Sequence, residues 1–493
     1  MPSQRFYLLG NPVTSNMPTS PKFKISFLGL VAITVDGRAV RDPDGPKGLP
    51  IVGNFFEIYP DHLGNHQRLF ERFGAVMQTN SLGRINKAHP LYALKNSSAG
   101  IFLGDTDSPE WRVAHKFLPP ALGPKAVRHY APTMQKTVED ACKVFDELDE
   151  QGEAWNVYQY MLKLGSQAVG KLTLGLDFEH FTSPDAPVHG MVHLIAEMLS
   201  LNKKVTSKGD WYSSLPFGDP KRLKDIKSRI EGMVEESIQN AARGGEDDLP
   251  LQDAALQASN MVDYAIRATD NKGEKLPKAS RVWALVVATA AGFTTTSSLL
   301  SWLIYGLVTY PGMQERLLQE LIDNDFNDET ELTADFTERL LFQDKYIKEM
   351  QRRHNPSFQP GRTAKTDLIL PGGYKLPKDS VIIPAIHHIH NNPDIWDNPY
   401  KFNPDRWDTP EVKNRHKTSY VSFGAGARMC IGFNFALQEI KVFLPKLIYN
   451  YKFVREGDGP IEYDPMFQLI RPNNLYVGAQ KRVKWPPKSE AAV

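Results

Sequence analysis

The chain has 493 residues and carries 58 Lys plus Arg against 57 Asp plus Glu, so its formal net charge of +1 excludes a generally basic nucleic-acid binder and an acidic tail. That length allows one large core or two or three ordinary domains. Its 2 cysteines exclude a disulfide framework and point to a reducing compartment.

Residues 1–45 are rich in Pro, Ser and Asn and read as an extension of undefined structure. Their best apolar run, 25–35, is too short to span a bilayer and too far from the start for a secretory signal, so no N-terminal anchor is expected. Helical periodicity predicts helices over residues 61–73, 126–148, 157–174, 220–243 and 312–324, whereas strand-like runs are few and short, at 366–370 and 380–384. Gly/Pro-rich breaks at 42–50, 214–220 and 371–377 are too short for flexible linkers, and no internal repeat is visible. The expectation is one mainly α domain with small β-sheets over residues 46–485, with a tail at 486–493.

Residues 282–310 contain no Asp, Glu, Lys or Arg, and by length and charge they would pass as a membrane span. Their middle argues otherwise. Thr294, Thr295, Thr296, Ser297 and Ser298 would place hydroxyls at the bilayer centre beside Gly292, whereas a helix through a large core is apolar on all faces and tolerates one polar notch.

Near the C-terminus, Phe423-Gly424-Ala425-Gly426-Ala427-Arg428-Met429-Cys430-Ile431-Gly432 sets one cysteine in a glycine-rich loop, after an extended run (418–422) and before a helical one (433–449). The glycines let the backbone turn tightly and bring amide N–H groups near the sulfur, while Arg428 offers a cation to a haem propionate, so the loop suits presentation of a thiolate to haem iron. A cysteine is more often a small buried hydrophobe, and that is the reading for Cys142, which sits in a helical pattern without flanking glycines. A dinucleotide loop is excluded because Met429 stands where the third glycine belongs.

With its upstream partners, the cysteine loop resembles that of the cytochrome P450 family, the haem-thiolate monooxygenases. Glu349-Met350-Gln351-Arg352 is similar to the family's E-x-x-R helix, and Phe402-Asn403-Pro404-Asp405-Arg406-Trp407 to the segment that follows it. The resemblance implies a buried ion-pair network of Glu349, Arg352 and Arg406 that fixes the cysteine loop. Trp111 and His115, four residues apart, resemble the family's W-x-x-x-R helix with His in place of Arg. Together with Arg362 and Arg428 they are the implied propionate partners of haem b. Phe423 and Gly432 would bound the axial ligand Cys430. The charge-free helix matches the long central helix over the haem. There the resemblance implies that Gly292 leaves room for oxygen and that Thr295 steers protons into the oxygen site.

Two departures stand out. The acidic residue that precedes the threonine in the family is Thr294 here, and a hydroxyl passes a proton but cannot store one at neutral pH. Between Ile85 and Phe102 roughly thirty residues of the family pattern are missing, which either a truncated sheet or an altered transcript or gene model would explain. His387, His388 and His390 form the densest histidine cluster, yet no cysteine or carboxylate stands at ligand spacing beside them, so they read as helix-packing residues.

The resemblance implies a monooxygenase that inserts one oxygen atom from O2 into a hydrophobic small molecule, a fatty acid, terpenoid or other secondary metabolite. Ala288, Ala291, Phe358 and Phe467 are substrate-contact candidates whose alternative role is core packing. Electrons would come from a separate NADPH-dependent flavoprotein reductase. A local basic patch of Arg112, Lys116, Lys125, Arg128 and Lys441 would meet it. The expected location is the cytoplasm or the cytosolic face of the endoplasmic reticulum. The altered proton relay leaves open an isomerase, a dehydratase or a peroxide-dependent enzyme, and the shortened N-terminal third leaves open an inactive haem-binding protein.

Overall fold

Short polar caps and glycine stops set the helix ends. The computed structural model describes residues 5–9, 34–35, 37–49, 54–58, 61–80, 101, 104–206, 208, 210–244, 247–357, 360–464 and 469–490. Asp61, expected as the first helical residue, is instead the N-cap of the helix His62–Phe73 and accepts from the Gly64 amide. Helix α1 (Pro109–Leu122) starts with Ser108 accepting from the Trp111 amide and with Pro at its first position. Helix α2 (Pro124–Gln151) follows after Gly123 and ends at Gly152, whose φ of 67° closes it in the left-handed region.

The expected helix at 157–174 is two pieces: α3 (Val157–Val169) runs into a π-helical turn, Gly170–Leu174. A Cβ on Gly170 would lie 2.9 Å from the Phe178 ring, so only glycine fits there. The charge-free stretch forms α4 (Lys278–Thr309) and is mostly buried, in keeping with a core helix. It packs closely on α3, where a Cβ on Gly165 would come within 2.7 Å of Ser297 Oγ. The helix begins at Lys278 rather than at 282, and Arg281 Nη2 donates to the Leu276 carbonyl beyond its start. Helices α5 (Leu341–Arg353) and α6 (Phe433–Asn450) complete the frame of the site. Phe145, Met161, Phe293, Leu300, Leu303, Ile440, Phe443 and Leu444 join α2, α3, α4 and α6 in one core.

The largest sheet contains a strand that the sequence does not announce. Strand β1 (Arg5–Leu9) lies between β2 (Val76–Asn80) and β4 (Val381–Pro384), with β3 (Arg362–Thr363) on the far edge of β4. Phe6 pairs in parallel with Val381 and in antiparallel with Thr79. The extension read as poorly defined thus supplies an inner strand. The predicted strand at 366–370 is the first arm of a hairpin, Leu368–Leu370 with Tyr374–Leu376, turned by Gly372 and Gly373 at φ 82° each. The extended run expected at 418–422 is not a strand. Lys417–Ser419 is a 3-10 turn, because Ser419 Oγ donates to the His416 carbonyl at 2.6 Å and gives the backbone a local alternative. The predicted shortening at 85–102 falls mainly on residues outside those described.

Cys142 lies half-buried on α2 against the core, where burial pushes its thiol up to about 12. That is a packing residue, not a reactive one.

Candidate active site

The Cys430 loop closes on itself. Gly424 and Gly426 take φ of 76° and 70°, which a side chain would resist. The Cys430 amide donates to the Phe423 carbonyl at 2.9 Å and the Met429 amide to the Gly426 carbonyl at 3.0 Å. Cys430 itself is exposed. Enclosure by neighbouring protein raises its thiol pKa, and the Gly432 N–H, directed at the sulfur, pulls it down. A Cβ on Gly432 would sit 4.0 Å from Sγ, an ordinary van der Waals distance, so this position packs beside the sulfur without crowding it.

Behind the loop lies a buried network. Glu349 accepts from Arg352 Nε and Nη2, both at 2.9 Å, from Arg406 Nε at 3.0 Å and from the Asn403 amide at 3.0 Å. Further guanidinium hydrogens go to carbonyls: Arg352 reaches His390 and Pro399, each at 2.7 Å, and Arg406 reaches Asp397 at 2.7 Å and Lys401 at 2.8 Å. The Glu349 and Arg352 side chains are 0% exposed. The structure therefore joins the three residues that the sequence paired, and satisfies them as buried charges require.

The histidine cluster links this network to the cysteine loop. His390 Nε2 accepts from the Val421 amide at 3.0 Å while its carbonyl receives Arg352. Burial holds its imidazole well below the ordinary histidine range, which keeps Nε2 a neutral acceptor. His387 Nε2 meets the Asn355 carbonyl at 2.9 Å and His388 stacks on Phe70 at 4.6 Å. Tyr420 Oη donates to Gln351 at 2.8 Å and Asn355 Nδ2 to the Ser422 carbonyl at 3.3 Å, so the C-terminal end of α5 grips the loop's entry at several points.

On one flank, the expected propionate partners converge. Trp111 and His115 stack at 4.4 Å, Arg428 Cζ lies 5.6 Å from the Trp111 ring centre, and Arg362 Nη2 donates to the Arg428 carbonyl at 3.3 Å. Burial, and then the nearby Arg362 cation, lower the Arg428 pKa. Two guanidiniums, an indole and an imidazole at one place make a donor set suited to paired carboxylates.

Along α4, Ala288, Ala291, Gly292 and Thr295 form a partly exposed stripe at helical spacing in an otherwise buried helix. Thr295 Oγ1 donates to the Ala291 carbonyl at 2.8 Å. Thr294 is buried and donates to the Ala290 carbonyl at 2.7 Å, so it turns away from that stripe. A Cβ on Gly292 would meet Val169 Cγ1 at 3.2 Å, and this glycine therefore serves the approach of α3 as well as the open face. Phe358 and Phe467 lie outside the described residues. The basic patch is partly neutralised: Lys116 pairs with Asp270 at 2.6 Å, Arg128 with Asp335 at 3.2 Å, and Lys441 with Asp344 at 3.2 Å. Arg112 and Lys125 are exposed.

The family model for cytochrome P450 matches residues 80–477. The chain belongs to the cytochrome P450 family. This P450 is 48% identical to cytochrome P450 monooxygenase alnD of Emericella nidulans over 487 residues, 93% of this chain and 88% of that protein. It is 26% identical over 470 residues to the bifunctional cytochrome P450/NADPH–P450 reductase ascE of Acremonium egyptiacum, covering 89% of this chain and 43% of that one. Against cytochrome P450 4F4 of Rattus norvegicus it is 25% identical over 368 residues, 73% of this chain and 70% of that one. The protein is a haem-binding oxidoreductase of the monooxygenase class with a mainly helical P450 fold. An exposed thiol on a braced loop and a cationic flank fit haem and its two carboxylates.

Proposed function

We propose that this P450 binds haem b between the Cys430 loop and the open stripe of α4, and oxygenates a hydrophobic small molecule of secondary metabolism with electrons from a separate NADPH-dependent reductase. The observation that carries this reading is the Cys430 loop, anchored through Val421 and His390 to the buried Glu349 network. Cys430 would hold the haem iron through its thiolate. Arg362, Arg428, Trp111 and His115 hold the propionates, and Phe423 and Gly432 bound the sulfur side.

When bound, the haem supplies the oxygen-activating chemistry. Ala288 and Ala291 present small apolar side chains on the open stripe, which favours an apolar ligand and leaves it room. Thr295 keeps a hydroxyl at the same face; its hydrogen is held by the Ala291 carbonyl and its oxygen is left to accept a hydrogen bond from the pocket. A reductase is favoured as donor because the Acremonium egyptiacum relative pairs both activities in its name, and this chain matches 43% of that protein. The cytosolic face of the endoplasmic reticulum or the cytoplasm is the proposed location. A rearrangement or peroxide-driven reaction is the second reading, favoured by Thr294 being buried and bonded to its own helix.

The deciding measurement is the spectrum of the reduced, carbon-monoxide-bound protein, followed by turnover with NADPH and reductase and then with peroxide alone. The wild type should show the thiolate Soret band and NADPH-dependent product, and Cys430→Ser should lose both. Product with peroxide alone would establish the second reading. Retention of the thiolate band by Cys430→Ser would overturn the assignment of the ligand.

A further inference from the structure

Arg415 follows the short helix Pro410–Lys413, upstream of the cysteine loop. Its guanidinium carbon lies 4.9 Å from the centre of the Trp407 ring, 5.3 Å from that of Trp396 and 5.8 Å from that of Tyr420. Nη1 donates to the Val412 carbonyl, while the buried Nε has no hydrogen-bond partner among the described residues. No carboxylate among them pairs with it, and burial lowers its pKa. An ordinary surface arginine keeps its nitrogens in water, often beside an acid. Here three rings take that place, and their faces attract a cation most strongly where water is excluded.

The rings are themselves fixed. Trp396 and Trp407 are buried and pack with Val412 in a small core of their own, 5.6 Å apart. Trp396 also lies 5.3 Å from Arg352 Cζ, so the cage adjoins the Glu349 network. Tyr420 is the ring that belongs to the segment entering the cysteine loop. It meets Trp407 edge-on at 4.8 Å, stacks on His390 at 5.2 Å and donates to Gln351 at 2.8 Å. The next residue, Val421, gives its amide hydrogen to the same His390 at 3.0 Å.

We propose that Arg415 is a positioning residue for the thiolate ligand: its cation, held among Trp396, Trp407 and Tyr420, fixes the Tyr420–Val421 entry of the cysteine loop and with it the place of the Cys430 sulfur. A ligating group is held to within about 0.5 Å only when the shell that supports it is locked. Tyr420 is the ring through which this cation reaches the loop, and Arg415 therefore acts through Tyr420 rather than on the sulfur. The inference rests on the reading of Cys430 as the haem ligand.

The test uses the haem-loaded wild type, Arg415→Met and Arg415→Lys. Arg415→Met keeps a long unbranched side chain without charge, and Arg415→Lys keeps the charge without the planar guanidinium. The first readout is the spectrum of the reduced, carbon-monoxide-bound protein, taken at a temperature where circular dichroism shows each protein folded. The wild type should show the thiolate Soret band alone. In Arg415→Met the neutral-thiol band should grow at its expense, and Arg415→Lys should lie between the two and nearer the wild type. The second readout is the rate at which haem passes to excess apomyoglobin. It should rise on the order of tenfold in Arg415→Met, as the loss of a desolvated cation–π contact implies, and less in Arg415→Lys.

A role confined to fold stability would lower the thermal midpoint of Arg415→Met and leave the spectrum and haem-loss rate of the folded protein as in the wild type, and that result would overturn the proposal. So would equal impairment of Arg415→Lys and Arg415→Met, or failure of both to fold. If Arg415→Met alone fails to fold while Arg415→Lys keeps the thiolate band, the need for a cation at this position is upheld. If the wild type itself lacks the thiolate band, the reading of Cys430 falls and takes this proposal with it.

Discussion

His390 accepts the amide hydrogen of Val421 at 3.0 Å, and this single bond ties the cysteine loop to the residue whose carbonyl holds Arg352. His390→Ala would leave the Val421 amide unsatisfied and open a cavity. The expected cost is about 1–3 kcal/mol, seen as a lower thermal midpoint and as less haem per protein. A Gln at 390, which can still accept through its side-chain carbonyl, should recover part of the loss.

Removing the charge of Glu349 has a larger effect. Glu349→Gln leaves the Arg352 and Arg406 guanidiniums buried without their counter-ion, and breaking such a pair costs about 3–5 kcal/mol. Insoluble protein or a soluble apoprotein without the thiolate Soret band is the expected result. Full haem content in this variant would contradict the role assigned to the network.

Acid should destabilise the protein through its buried histidines. Burial lowers His66, His180 and His387 to about 4 from an ordinary 6.5, and lowers His390 further. Each folded pKa lies below the unfolded one, so the unfolded chain binds more protons in that interval. Their contribution is complete above the unfolded value and is lost as pH falls from about 6.5 toward 4. Thermal midpoints measured from pH 7.5 to 4.5 should decline across that window, and the decline should be shallower in His387→Gln.

Placing an acid at the family position should harm rather than help. Thr294→Asp would put a carboxylate in a buried site where Thr294 Oγ1 now donates to the Ala290 carbonyl, and an ionised carboxylate has no hydrogen to give it. Stability should fall by about 1–3 kcal/mol, measured by denaturant unfolding, with no gain in product per NADPH. Improved coupling would show that the side chain at 294 reaches the pocket after all.

Much of the site was legible in the sequence because its signals are local. Glycines around Cys430 report a tight loop, and the three-residue spacing of Glu349 and Arg352 places both on one helical turn. The histidine at 390 was visible, but its bond to Val421 joins segments that only the fold brings together. Gly292 was read as room for a ligand, and its missing Cβ also faces Val169 on another helix, a second use that only the packing reveals. The run Arg5–Leu9 is five residues long, too brief for periodicity to distinguish from coil.

That short strand bears on how the molecule is made and handled. In chain order β1 comes long before its partner Val381–Pro384, so this sheet closes late in synthesis and by a long-range search. Handling conditions that open this sheet would bare the edges of Val76–Asn80 and Val381–Pro384 to pairing with other chains.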